Sequence, residues 1–431
     1  MWADARRRGP PLVELLLAAV VIVSVLHMAW QLQVFGYLPQ PFFYVTTDTF
    51  MDWHNTAYWA NNKGAYDAWH SVYPPISFVF LRIFSIGSCY ASDPFVGRNC
   101  DWLGRATLFG FYALNAWLVF LAFRRVDRRT ALVRATMMTI GLPMLWALER
   151  GNLIIPTFTF FVLAHGRILK SARMRWLAHA IAINFKPYLV LTVLPYAIRR
   201  RWRWLEYCGM LTIAVYLVTF VLQGGGTLTE VAENAKLLGD STRNNNWTDF
   251  FNATSYTPLH RFLISPFPVM YYAGSRLVEF LIVLLPILLK VGMLGILAVV
   301  GLAWLRPGAT RDNRLIALII SFIMTASEPS GYTEVFLLFL LFLEKWQGFI
   351  RITILICCYL LCITADQVIF EFFAGYGESW ITSRKIFQEY GIAVGQFIRP
   401  GLMMIIQYAL IILCLKDIVR ADRDGARQKE P

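Results

Sequence analysis

The chain has 431 residues, 57% of them hydrophobic and only 16% charged, with a formal net charge of +13. So high an apolar fraction, laid down in many runs of membrane-spanning length, excludes a soluble globular domain and predicts an all-α, polytopic membrane protein. The charge does not indicate nucleic acid, because the cations gather in short clusters between apolar runs, at 124–129, 170–175, 199–203, 306–314 and 420–427. That is the positive-inside pattern, which marks cytoplasmic flanks and contact with membrane lipids.

From the N-terminus, Arg6, Arg7 and Arg8 precede an apolar run from Leu12 to about Trp30. The run is too long for a cleaved signal sequence and reads as a retained first span, with the N-terminus cytoplasmic. The first outer loop, residues 35–75, then carries the densest set of titratable groups outside any span. Within it Asp48 and Asp52 lie four apart, so a helix over Thr49–Asn61 puts them on one face. Paired carboxylates suit general acid–base chemistry near neutrality; the alternative is an N-cap followed by a solvated first-turn acid. Ile76–Ile86, interrupted by Arg82, is short for a crossing and reads as re-entrant or tilted, with a true crossing as the rival. Cys89 and Cys100 bracket the next polar loop, where a disulfide fits an oxidising compartment.

Arg105–Phe123 runs inward, Ala131–Leu148 outward and Leu153–Leu169 inward, which makes Glu149-Arg150-Gly151-Asn152 an outer turn. Trp176–Ile198 is flanked by cations at both ends and broken in its middle by Lys186-Pro187. Two half-helices with Lys186 near their apex satisfy both facts; a single span with a snorkelling lysine is the alternative. Leu205–Leu222 leads out to the longest polar loop, 223–278, which contains His260-Arg261. Spans at 281–305, 315–326, 335–343 and 352–365 follow, then an aromatic and polar outer segment from Asp366 to about Tyr390. A final span, Ile392–Leu415, ends in a charged cytoplasmic tail. The map has about ten full spans plus half-membrane elements. It divides into an N-terminal module (1–222), an outer loop (223–278) and a C-terminal module (279–431).

The polar groups not explained as inside flanks fall on the outer face, which favours surface chemistry over passage through the bilayer. Sugar transfer from a polyprenyl phosphate needs a carboxylate to deprotonate the acceptor hydroxyl and cations to hold the departing phosphate. Asp48 and Asp52 are the catalytic candidates, and Arg150, Lys186 and Arg261 are the phosphate-binding ones. His54, Tyr73, Glu149, Asn152 and Tyr188 are candidate substrate-binding groups. The aromatics Trp53, Tyr58, Trp59, Tyr66 and Trp69 suit either sugar stacking or an interfacial belt. No cofactor and no obligatory metal are expected.

Asp48, Tyr73-Pro74-Pro75, Gly151-Asn152 and Lys186-Pro187-Tyr188 before a basic cluster, in that order, resemble the GT-C membrane glycosyltransferases. Within that group the chain looks most like the bacterial polyprenyl-phosphate-mannose-dependent α-mannosyltransferase family. The resemblance covers roughly the first half of the chain. It implies an inverting transferase of the bacterial plasma membrane, with a catalytic Asp in the first outer loop and a lipid or glycan acceptor. Asp52 stands where the family often carries an aromatic, so either acid is a candidate base. A polysaccharide polymerase or ligase, and a lipid or glycan transporter, are the competing classes.

Overall fold

The computed structural model describes residues 11–42, 45–241, 256, 274–327 and 330–427. These are mostly helical. The N-terminal half contains α1 (Leu12–Phe35), α2 (Met51–Asn61), α3 (Pro75–Ile83), α4 (Pro94–Cys100), α5 (Trp102–Val126) and α6 (Ala131–Ile140). It continues with α7 (Leu142–Arg150), α8 (Ile154–His165), α9 (Ala172–Phe185), α10 (Leu194–Ile198), α11 (Trp202–Gln223) and α12 (Leu228–Ser241). The C-terminal half has α13 (Ser275–Leu305), α14 (Asp312–Ser327), α15 (Glu334–Leu341), α16 (Phe349–Leu361) and α17 (Gly395–Arg427).

Among the described residues five helices, α1, α5, α11, α13 and the Gly395–Ala421 part of α17, are long and apolar enough to cross a bilayer. The pair α6 and α7, bent by 40°, makes a sixth if counted as one span. The bend falls at Gly141, where a Cβ would come within 2.8 Å of the Cys362 side chain. The freed Leu142 N–H donates instead to the Cys362 carbonyl at 3.0 Å, so the break leaves that group satisfied. Helices α1, α11 and α13 expose rows of apolar side chains, Leu16, Val20, Val23, Val218, Val221 and Leu294 among them. Water does not tolerate faces of that extent; hydrocarbon does, and the chain is membrane-embedded and multi-pass.

The expected all-α class needs one correction. Residues Val368–Ser379 (β1) and Arg384–Ala393 (β2) form an antiparallel hairpin, with Tyr376 opposite Phe387. Aromatic and β-branched residues at this density favour a pleated surface, and two register shifts bend the ladder. The hairpin sits beside the end of α1: Arg384 donates to the Gln33 carbonyl at 2.6 Å and Gln40 Nε2 to Gly391 O at 2.8 Å. Trp176–Ile198 is broken as expected: α9 stops at Phe185, and Pro187–Val193 continues as 3-10 helix into α10. Arg82, in the last turn of α3, donates to the carbonyls of Leu222 and Gln223, two acceptors left open by the end of α11. Cys89 and Cys100 are joined as a disulfide.

One continuous apolar core runs from Ala18 to Cys414 and includes residues of both halves. Two groups of buried charges beside it are paired. Glu14 on α1 bonds Arg134 Nε at 2.6 Å and the Tyr359 hydroxyl at 2.9 Å, and it also accepts from Trp346 Nε1. Arg134 adds bonds to the carbonyls of Phe342 and Glu344, so the cluster ties α1, α6, α16 and the segment just after α15 together. Arg314 binds Glu344 through two nitrogens at 2.6 and 2.8 Å and Asp417 at 2.5 Å. Removing one member of such a buried pair costs more than removing both, because the survivor keeps its desolvation penalty. Arg134→Met is therefore expected to destabilise the detergent-solubilised protein by about 3–5 kcal/mol. Glu14→Leu/Arg134→Met should recover part of that loss, both read from thermal unfolding.

Candidate active site

The turn between α7 and α8 organises the site. Gly151 has φ +64, and a Cβ there would meet the Phe50 carbonyl at 2.9 Å, so the position needs glycine for its backbone and for the close approach. Across that contact the Phe50 N–H donates to the Glu149 carbonyl at 2.7 Å, and Phe50 itself is left-handed (φ 63). A bulky residue in that region costs energy that the surrounding contacts must hold in place. The outcome is that loop 45–50, the start of α2 and the 149–152 turn are locked together.

Asp48 lies just before α2, not on it; Asp52 lies in its first turn. Arg150 stands between them. Its Nη1 is 2.7 Å from Asp48 Oδ2 and its Nη2 is 2.8 Å from Asp52 Oδ1. Asn152 Nδ2 donates to the other Asp52 oxygen at 2.7 Å, while Asn152 Oδ1 accepts the Ile154 N–H at the start of α8. Both Asp52 oxygens are thus occupied, whereas Asp48 commits one oxygen to Arg150. Arg98 Nη1 donates to the carbonyls of Thr47 and Thr49, at 2.5 and 2.8 Å, and its guanidinium lies 4.7 Å from the Trp380 ring. The disulfide-closed loop and the tip of the hairpin therefore clamp the loop that carries Asp48.

Lys186 closes α9 in an extended conformation, and Pro187, lacking an N–H, prevents continuation. Its ammonium is 5.3 Å from the centroid of the Tyr73 ring and within electrostatic range of the Asp52 carboxylate. The Tyr73 hydroxyl bonds Thr56. Burial, helped by Asp52 and Tyr332, pushes this phenol well above its ordinary range and keeps it neutral. Tyr332 bonds Asn152 Nδ2 at 3.2 Å, and Tyr188 bonds Thr333. The structure thus gathers Asp48, Asp52, Arg150, Asn152, Tyr73, Lys186 and Tyr188 around one locus, and Tyr332 and Thr333 join them from the C-terminal half. No protein-family model, curated protein or solved structure matches this chain.

Glu149 stands beside the locus, with Oε1 accepting from Thr49 at 3.4 Å and Oε2 buried without a hydrogen-bond partner among the described residues. Arg261 lies outside the described residues. His54 is not brought to the carboxylates. It is fully buried, with Nδ1 2.8 Å from the Tyr90 hydroxyl, which itself donates to Asp101 at 2.7 Å. Because Tyr90 spends its proton on Asp101, Nδ1 must be the protonated nitrogen of His54. Nε2 is buried without a partner among the described residues, so a second proton has nowhere to bond.

Sequence reasoning missed Tyr332 and Arg98, whereas Thr56 falls on the Asp52 face of the helix as its spacing predicts. Residues 280 positions apart leave no spacing signal, and Arg98 reads from sequence as one more solvated loop cation. Among the described residues no three His, Cys, Asp or Glu side chains gather as a metal site.

Burial, with the nearby Arg98 and Arg105 charges, pushes His54 from its usual 6.5 down to about 3. As pH falls below 6.5 the unfolded chain takes up a proton that the folded one refuses, so stability drops through the window from 6.5 toward 3. Between pH 7 and 5 this histidine is expected to cost about 2 kcal/mol. Thermal unfolding of His54→Phe should show a correspondingly shallower pH dependence than the wild type over that interval.

Proposed function

We propose that the chain is an integral-membrane glycosyltransferase of the GT-C kind. In this reading it moves a sugar from a polyprenyl-phosphate donor to a lipid or glycan acceptor. The observation that carries this is the meeting of two carboxylates, a shared guanidinium and the Lys186 kink at one end of a lipid-exposed helical body. The acceptor oxygen attacks the anomeric carbon as its proton passes to a carboxylate. The bond from that carbon to the phosphate oxygen breaks, and its electron pair leaves with the polyprenyl phosphate. A single displacement of this kind inverts the anomeric centre.

Asp48 is the base on this reading, because among the described residues only one of its oxygens is bonded, to Arg150, while both Asp52 oxygens are bonded. Asp52 and Asn152 orient the group. Arg150 is committed to two carboxylates and acts mainly to hold them, which leaves Lys186 as the cation that meets the departing phosphate. A lysine suits that task as a compact charge. Tyr73, Tyr188 and Tyr332 border the space where sugar and phosphate would lie.

The site would face the outer side of a bacterial plasma membrane, with both termini cytoplasmic. The disulfide on the same side as the carboxylates supports this, since such bonds persist in oxidising compartments. So does the position of the basic clusters at the opposite helix ends. The further crossings of a ten-span map would be made by the short apolar helices α8, α15 and α16 and by Pro187–Ile198.

The test is transfer of radiolabelled hexose from its polyprenyl phosphate to envelope lipid or glycan acceptors by the purified protein in liposomes. Asp48→Asn should lower the rate by roughly 10²–10⁴ with donor KM little changed, as expected for loss of a general base. Lys186→Met should raise donor KM. Full activity in both Asp48→Asn and Asp52→Asn removes the carboxylate mechanism. A protein that carries labelled lipid across the bilayer without forming a glycoside is a transporter instead.

A further inference from the structure

A second concavity lies at the other end of the helical body. Helix α5 starts beside Asp101, near the carboxylate site, and ends 25 residues later at Val126, about 37 Å away at 1.5 Å per residue. There the ends of α5, α8, α9, α11 and α14 converge on a cavity of about 400 Å³. Arg125, Arg167, Arg175, Arg201 and Arg311 line it, and Asp312 is the single carboxylate among the lining residues. Asp312 is already taken: it pairs with Arg199 at 2.5 Å. Five arginines therefore line one concavity against a single carboxylate that a sixth, Arg199, already pairs; Arg125 also donates to the Arg167 carbonyl.

The neutral part of the lining is also shaped. Tyr196 and Trp204 stack at 3.5 Å with their planes 10° apart and form one wall. His165 lines the cavity with both ring nitrogens buried, and Arg175 has its Nε buried; none of these three atoms has a hydrogen-bond partner among the described residues. Loop cations that serve only to orient a span have no reason to converge, since their charge acts in any geometry. Convergence of forked donors on a concave site is instead what recognition of a tetrahedral oxyanion requires.

We propose that this cavity binds a phosphate group, as free anion or as the headgroup of an anionic lipid. The proposal is independent of the chemistry assigned to the carboxylate end. It is tested with the purified full-length protein in detergent, using two probes: inorganic phosphate by calorimetric titration, and phosphatidylglycerol by native mass spectrometry against a phosphatidylcholine control. Two variants carry the same change in net charge. Arg175→Gln/Arg201→Gln/Arg311→Gln removes three of the five lining arginines, whereas Arg128→Gln/Arg129→Gln/Arg173→Gln alters neighbouring cations outside it.

The expected result is a loss of roughly tenfold or more in the cavity variant and under about twofold in the control. Saturation by inorganic phosphate assigns a free anion, and retention of phosphatidylglycerol without response to phosphate assigns a lipid headgroup. Equal losses in the two variants, or a wild type that binds neither probe above the phosphatidylcholine control, overturn the proposal. Should the cavity variant not fold, modification of the wild type by phenylglyoxal decides the matter. Bound probe should protect Arg175 and Arg311 and leave Arg128 and Arg129 reactive; uniform reactivity overturns the proposal equally.

Discussion

A guanidinium held between two carboxylates is the constraint to which the outer end of the molecule answers. Asp48 and Asp52 come from a loop and from the first turn of a helix, and without Arg150 they would meet as like charges in a partly dehydrated setting. Arg150 can stand there only because the chain reverses at once behind it. That reversal demands a left-handed Gly151 packed on Phe50, and Phe50 accepts a costly backbone conformation in return. Arg98 and Trp380 then close over the loop from two further segments. The charge pairing is thus supported by backbone geometry that four separate stretches of sequence supply.

The same logic recurs at two buried charge clusters. Glu14 with Arg134, and Arg314 with Glu344 and Asp417, are satisfied through several bonds each, and each joins elements distant in sequence. Deep in an apolar body an unpaired ion is prohibitively costly, so these groups act as registration points between helices whose apolar faces would otherwise slide. The two ends of the molecule differ in one respect. At the carboxylate end the charges are compensated locally, whereas the cavity at the opposite end leaves an excess of cations.

What could be read from the sequence was whatever the local chain enforces. The spans α1, α5 and α11 follow from apolar length alone, and the break at Lys186 follows from a proline with no N–H to offer. The turn at Glu149–Asn152 follows from a glycine between two apolar runs, and the Cys89–Cys100 pairing from two thiols bracketing one polar loop. What escaped was set by partners far along the chain. The hairpin at 368–393 is stabilised by cross-strand pairing and by the end of α1, and its aromatic run reads equally as an irregular outer segment. His54 belongs by sequence to the acid-rich stretch, yet the helical period turns it to the opposite side of α2 from Asp52, toward Tyr90. Asp48 was expected on the helix face and instead precedes the helix, because Phe50 takes the left-handed turn that begins α2. Tyr332 entered the site from the far half, where no motif marked it.

The unequal treatment of the two acids follows from where the backbone places them. Asp52, on a helix, presents its carboxylate in a fixed direction and meets Arg150 and Asn152 with one oxygen each. Asp48 sits on a short loop that is clamped by its carbonyls and not by its side chain: Arg98 grips Thr47 O and Thr49 O on either side of it. The main chain is thereby held while, among the described residues, one carboxylate oxygen carries no bond. A group that must accept a proton needs that combination of a fixed position and an unspent acceptor. The proposed mechanism follows that difference in bonding: it gives proton acceptance to Asp48 and orientation to Asp52, although the two residues are chemically identical.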